Sequence, residues 1–130
     1  MKIIDGKGAI LGRLASYVAK EALKGEEIII LNCDDVIISG NKKMIKEKFE
    51  KKRRMVGSGQ KGPKHAKPAH MIVKRTIRGM LPEHRFGRGR KAFKRIKCYK
   101  NVPKEFEESK KITGGKEKPI KFSSVKEFAK

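Results

Sequence analysis

A chain of 130 residues has room for one modest core and excludes a cofactor domain carried beside a separate substrate domain. Its apolar share of 37% is low for a globular protein yet above that of a disordered chain, and six Phe, two Tyr and no Trp leave few rings to fill that core. The formal net charge is +21: residues 51–100 hold 18 of the 35 Lys and Arg against one acid, Glu83, while the remaining residues hold 17 against 13. A basic middle in a nearly balanced frame is the footprint of a polyanion-binding protein. Each neutralised phosphate releases counterions, and an unpartnered fold at this charge density repels itself.

Lys2 to Asp5 reads as a short extended start, punctuated by Gly6 and Gly8. Leu11, Leu14, Ala15, Val18, Ala22 and Leu23 then recur at helical spacing until Gly25 stops the helix. The aliphatic run in EEIIILN, bounded by turn residues, predicts a strand buried on both faces, hence a right-handed βαβ unit with a parallel sheet. Val36 to Ile38 adds an edge or a turn of strand. After Ser39–Asn41 a helix is expected to about Arg54, with Met44, Ile45, Phe49 and Val56 as a thin apolar stripe among Lys and Arg. One end of that helix is expected to anchor in the core and the other to reach the basic region.

Residues 57–70, GSGQKGPKHAKPAH, contain no large aliphatic or aromatic residue and read as a loop, mobile when free and ordered against a partner. Two amphipathic helices follow. In the first, Ile72, Val73, Thr76, Ile77 and Met80 face inward and Lys74, Arg75 and Arg78 outward, with Gly79 and Pro82 ending it. In the second, Ala92, Phe93, Ile96 and Tyr99 form one stripe and Arg88, Lys91, Lys94 and Arg95 the other face. The chain then turns polar from Asn101 to Pro119, with Gly114 and Gly115 as a hinge. Ile120–Phe122 predicts a last strand, and Ser124 with Glu127 matches a capping box for a short terminal helix. The expectation is one domain over residues 1–130: a βαβ-containing core in 1–50, basic helices and loop in 51–100, and a polar stretch with a short strand and helix in 101–130.

Three rival chemistries fit parts of the chain. DGKGAILGRL places Gly6, Gly8 and Gly12 between strand and helix, with Asp34 and Asp35 beyond the second strand, as in a dinucleotide site. Its spacing is G-x-G-x-x-x-G, however, no Lys-Ser or Lys-Thr pair makes a P-loop, and a tight turn explains glycines without a ligand. His65, His70 and His84 lack paired Cys and sit in cationic surroundings that repel a divalent ion, so neither metal nor cofactor is expected. No Ser/His/Asp, Cys/His or paired-carboxylate set supplies a nucleophile or base, which argues against an enzyme and a small-molecule substrate.

Cys33 and Cys98 are isolated in the chain and no secretory pattern is present, which points to a reduced cytoplasmic setting. The longest aliphatic run, Ile28 to Leu31, is too short to span a bilayer. Nucleic-acid binding accounts for the most residues at once. RFGRGRK supplies forked Arg donors for phosphate, with glycines that let the backbone come close. Phe86 can stack on an exposed base, but Phe93 and Tyr99 fit the core at least as well, so the sparse aromatics argue against single-strand binding by an aromatic platform. No helix-turn-helix, zinc-finger or RNP pattern appears, which favours shape recognition of folded RNA.

DGKGAILGRLASYVAK, VIISGNK, VKRTIRGMLP and the basic helix ending KCYKNVP closely resemble, in order over about the first hundred residues, the universal large-subunit ribosomal protein family numbered thirteen in its archaeal and eukaryotic form. KFSSVKEFAK resembles the family's final strand and helix more weakly. The resemblance implies an α/β fold of three α/β/α layers around a small, mainly parallel sheet of about four strands, with basic helical and loop extensions. It implies no enzymatic activity, binding to large-subunit ribosomal RNA, neighbouring ribosomal proteins as partners, no obligate homo-oligomer, and a place in the cytoplasmic ribosome. Carried onto this chain, the family's RNA-facing block nominates Arg53, Arg54, Lys61, Lys64, Lys74, Arg75, Arg78, His84, Arg85, Arg88, Arg90 and Lys91, to which the second helix's basic face adds Lys94 and Arg95. The alternatives are a general nucleic-acid-binding or RNA chaperone protein and, less favoured, a nucleotide-binding protein using the Gly6/Gly8/Gly12 turn.

Overall fold

The computed structural model describes residues 2–55, 67–83, 85–106, 112–113 and 121–129. Strand β1 (Lys2–Asp5) leads through the glycine turn into helix α1 (Leu11–Leu23), which returns to strand β2 (Ile28–Leu31). β1 and β2 pair in parallel, Ile3 opposite Ile29 and Ile4 opposite Ile30. That pairing joins two runs whose apolar residues alternate between faces, so both faces of the sheet need a cover.

Strand β3 (Ile37–Ser39) and helix α2 (Lys42–Arg54) follow, then α3 (Ala69–Met80), α4 (Gly87–Lys94), β4 (Ile96–Cys98), β5 (Ile112–Thr113) and β6 (Phe122–Ser124). The main sheet has the order β4-β2-β1-β5, all parallel, while β3 and β6 pair antiparallel in a separate ribbon.

On one face of the main sheet Ile4, Ile28, Ile30 and Ile96 meet Leu14, Ala15, Val18 and Ala22 of α1, Ile72, Val73 and Ile77 of α3, and Ala92 of α4. Burying such a side chain fully contributes roughly 1.5–3 kcal/mol, so this face carries most of the fold. The other face, Ile3, Ile29 and Leu31, is covered by Tyr99, Val102 and Phe106. Among the described residues the helical part of that cover is a single 3-10 turn, Lys104–Phe106, and the Tyr99 and Phe106 rings pack with centroids 5.9 Å apart.

Several expectations need correction. The second basic helix stops at Lys94, and Ile96 to Cys98 form a strand beside β2, with Ile28 opposite Ile96 and Ile30 opposite Cys98. Ile96 and Tyr99 fit a helical stripe by spacing, but the free edge of β2 offers ladder bonds: the Ile28 N–H donates to Arg95 O at 2.9 Å and the Tyr99 N–H to Ile30 O at 2.9 Å. Tertiary pairing therefore overrides the local period. Leu23 and Met80 are solvent-exposed, because Ala22 and Leu81 occupy the inward positions at the ends of their helices.

Ala69 and His70, read as loop, form the first turn of α3 directly after Pro68, the extended N-cap residue whose carbonyl accepts the Met71 and Ile72 N–H groups at 3.1 Å. The other residues of that predicted loop lie, from 57 to 66, outside the described residues. The last strand runs Phe122–Ser124, later than expected, and the terminal helix is a 3-10 turn, Val125–Glu127, in which the Ser124 N–H donates to Glu127 Oε2 at 3.2 Å. Helix α2 buries no residue fully and leaves Met44 exposed. Its anchor lies in its second half, where the Phe49 ring stacks on Phe128 at 5.4 Å.

Candidate nucleic-acid interface

The glycine turn before α1 is a packing device. A Cβ on Gly6 would lie 2.9 Å from Val36 Cγ2 and 3.0 Å from Leu31 O, so only glycine lets β1 turn beneath the end of β2. The amides of this turn donate within the protein: Gly6 N–H to Leu31 O at 2.8 Å, Lys7 N–H to Asp5 Oδ1 at 3.0 Å, Gly8 N–H to Asp35 O at 3.1 Å and Ala9 N–H to Gly6 O at 3.0 Å. A phosphate cradle needs such donors free.

The basic segment is built differently. Gly89 and Ala92 turn the inner side of α4 to the body, and Arg88, Arg90, Lys91 and Lys94 stand exposed on its outer side, with Arg85 exposed in the turn before it. A Cβ on Gly89 would fall inside the Pro82 carbonyl oxygen and 2.6 Å from that of Glu83. This close approach seats the first turn of α4 on the end of the IRGMLP segment and sets the angle at which its cations project. On α3, Lys74, Arg75 and Arg78 are half-buried beside the inward Ile72, Val73 and Ile77. Lys74 Nζ lies 5.0 Å from the Phe93 ring centroid, a cation–π contact joining the basic faces of α3 and α4.

Other nominated residues are committed inside the protein. Arg95 Nη1 donates to Ala22 O at 3.0 Å, and Arg53 Nη2 donates to Phe128 O at 2.5 Å with its guanidinium 5.6 Å from the Phe49 ring. Arg54, beside it, is exposed and bonds through Nε to Glu50 O at 3.4 Å. Thus α3, α4 and the turn between them are brought together, while Arg53 and Arg54 are carried on α2 against the C-terminal segment. Lys61, Lys64 and His84 lie outside the described residues. Lys43, Lys46, Lys48, Lys51 and Lys52, all exposed on α2, extend the basic surface and were not nominated, because a lysine run on a helix reads equally as a solvated face.

Three acids of the frame are engaged by lysines. Glu21 takes Lys2 at 2.6 Å and Lys24 at 3.3 Å, Glu127 takes Lys42 at 3.2 Å, and Asp34 lies 3.9 Å from Lys100. The hydrogen bond with Lys2 holds the Glu21 carboxyl below its ordinary range and, reciprocally, raises the Lys2 ammonium. Among the described residues Arg88, Lys91 and Lys94 make no ion pair, so their charge is available to an outside anion.

Cys33 and Cys98, distant in sequence, are neighbours in the fold: the Cys33 N–H donates to Tyr99 O at 3.1 Å, and both are free thiols. The Cys98 side chain and burial together push the Cys33 thiol far above its ordinary range, which leaves it unreactive. Among the described residues no cluster of His, Cys, Asp and Glu is placed to hold a metal ion, and no helix is long and apolar enough to cross a membrane.

A family model described as "Ribosomal protein L13" matches residues 1–105. The large ribosomal subunit protein uL13 of Thermoplasma acidophilum is 46% identical over 110 residues, covering 85% of this chain and 79% of the relative. That of Methanocaldococcus jannaschii is 42% identical over 133 residues, covering 100% and 96%, and that of Methanosarcina barkeri 46% over 114 residues, covering 87% and 80%. Both the βαβ frame and the basic α3–turn–α4 segment fall within the matched residues, and the chain belongs to the ribosomal protein L13 family.

Proposed function

We propose that this protein is a structural, non-enzymatic constituent of the large ribosomal subunit in the cytoplasm, and that it binds folded large-subunit ribosomal RNA through the face built from α3, the turn after it and α4. The relatives named above are large ribosomal subunit proteins, which supports the assignment. The observation that carries the RNA-binding face is the outward row of Arg85, Arg88, Arg90, Lys91 and Lys94, none of which makes an ion pair among the described residues.

The role of each nominated residue follows from its exposure. Arg85, Arg88, Arg90, Lys91 and Lys94 meet phosphates directly, and Arg54 extends the contact from α2. Lys74, Arg75 and Arg78 lie at the margin of that face. Lys61, Lys64 and His84, outside the described residues, are assigned to RNA on the charge of their segments alone. Arg53 and Arg95 act by holding α2 and α4 in place. Neighbouring large-subunit proteins are the other partners of this reading.

Sedimentation of a lysate through a sucrose gradient tests the assignment. The protein is expected with large subunits and whole ribosomes, and with the large-subunit fraction after magnesium is lowered to separate the subunits. Recovery at the top of the gradient under both conditions would overturn it.

A further inference from the structure

Phe86 is 69% exposed, more than any other large apolar side chain among the described residues. Leaving a phenyl ring in water is unfavourable, and no described part of the chain covers it. It does not sit on a loose tip. Phe86 is the extended residue immediately before α4, at φ −156 and ψ 168. Gly87 follows at φ 67, in the left-handed region, and Gly89 is wedged against the Pro82 and Glu83 carbonyls. The backbone beyond the ring is therefore set by two positions that accept only glycine without strain.

The surroundings of the ring decide what it meets. Arg85, Arg88, Arg90 and Lys91, its near neighbours in the chain, are all exposed, and four like charges gathered within seven residues call for an anionic partner. A ring among forked cations matches a nucleotide, with a flat π-face beside phosphates. We infer that Phe86 is a stacking platform for one unpaired base of the RNA partner, with the flanking arginines on the adjoining phosphates. This rests on the RNA-binding reading above and adds to it a contact that depends on the strand being unpaired at that point.

The absence of Trp from the sequence makes the test direct, since Phe86→Trp introduces a single fluorophore at the site. Emission of that variant is expected to be quenched by folded large-subunit ribosomal RNA and not by a fully paired RNA duplex bound to the same extent. Phe86→Ala and Phe86→Leu are both expected to weaken binding to the ribosomal RNA by about 5- to 150-fold, as for one lost stack, with the slope of log K against log salt unchanged because no counterion is involved. Both variants should melt like wild type, the side chain being exposed.

Unquenched emission in the bound complex, or wild-type affinity in both truncations, would overturn the inference and mark Phe86 as a contact for another protein. In that case wild-type RNA binding would remain, which separates this failure from failure of the RNA-binding reading itself. Loss of that reading would appear as no preference of the wild-type chain for ribosomal RNA, and this inference would fall with it.

Discussion

Arg95 Nη1 lies 3.0 Å from the carbonyl oxygen of Ala22, tying the end of α4 to the last turn of α1. That carbonyl also accepts the Gly25 N–H at 3.1 Å, so the guanidinium adds a charge-assisted bond at the negative end of the helix. Arg95→Ala is expected to cost about 1–2 kcal/mol of stability, read in a denaturant or thermal melt. It should leave the salt dependence of RNA binding closer to wild type than Arg88→Ala does. A wild-type melt combined with a shallower salt slope would move Arg95 to the RNA face.

Gly89 and Gly12 predict opposite signs for one substitution. Gly12 is exposed in α1, and a Cβ there meets nothing within 4 Å, so Gly12→Ala should stabilise by about 0.5–1 kcal/mol through helix propensity. At Gly89 the new methyl would collide with the Pro82 and Glu83 carbonyls, whose backbone cannot yield as a side-chain end can. Gly89→Ala is expected to destabilise by roughly 1–3 kcal/mol despite its better propensity, and to weaken RNA binding by tilting α4. Melting temperatures of the two variants, measured side by side, check the contrast.

The Glu21 cluster makes stability pH-dependent at both extremes. Hydrogen bonding from Lys2 lowers the Glu21 carboxyl from its ordinary 4.5, so its contribution is fully present above that pH and lost as pH falls through the lowered value. The Lys2 ammonium, raised from 10.5 by the same bond, contributes fully below 10.5 and loses its part as pH rises through the raised value. Glu21→Gln should therefore melt below wild type by a constant interval from about pH 5 to 10, and the interval should close below pH 4.5. An interval that persists into strong acid would show that packing, and not the ion pair, is what the substitution removes.

Arg88 and Arg90 project from the outer side of α4 without touching the core. Changing both to Ala should leave the melt unaltered and flatten the salt dependence of RNA binding, each lost phosphate contact lowering the slope by up to about one unit. A slope identical to wild type would remove these two residues from the interface.

Elements whose local pattern and burial coincide were legible in the sequence. α1 carries a helical period and β2 a continuous aliphatic run that their packing then uses, and the basic segment was visible as charge alone. The α4–β4 boundary was hidden because Ile96 acquires its strand partner, Ile28, from the far end of the chain. β5 was hidden for the same reason: Ile112 stands in a polar stretch and becomes strand only against Ile4. The division of labour among the arginines was equally out of reach. Arg88 and Arg95 look alike on a helical wheel, and it is the position of Ala22 that makes one structural; likewise Phe128 claims Arg53 and leaves Arg54 exposed.

Recognition of a particular folded RNA by the α3–turn–α4 face is what would separate this protein from a simple polycation. Competition binding of the purified chain to a folded large-subunit ribosomal RNA domain, against equal lengths of duplex DNA and unrelated structured RNA across a salt series, tests it most directly. The ribosomal RNA is predicted to keep its advantage at high salt, where counterion release no longer drives association. If all three affinities fall together along one steep line, the isolated chain binds as a polycation and the claim is contradicted.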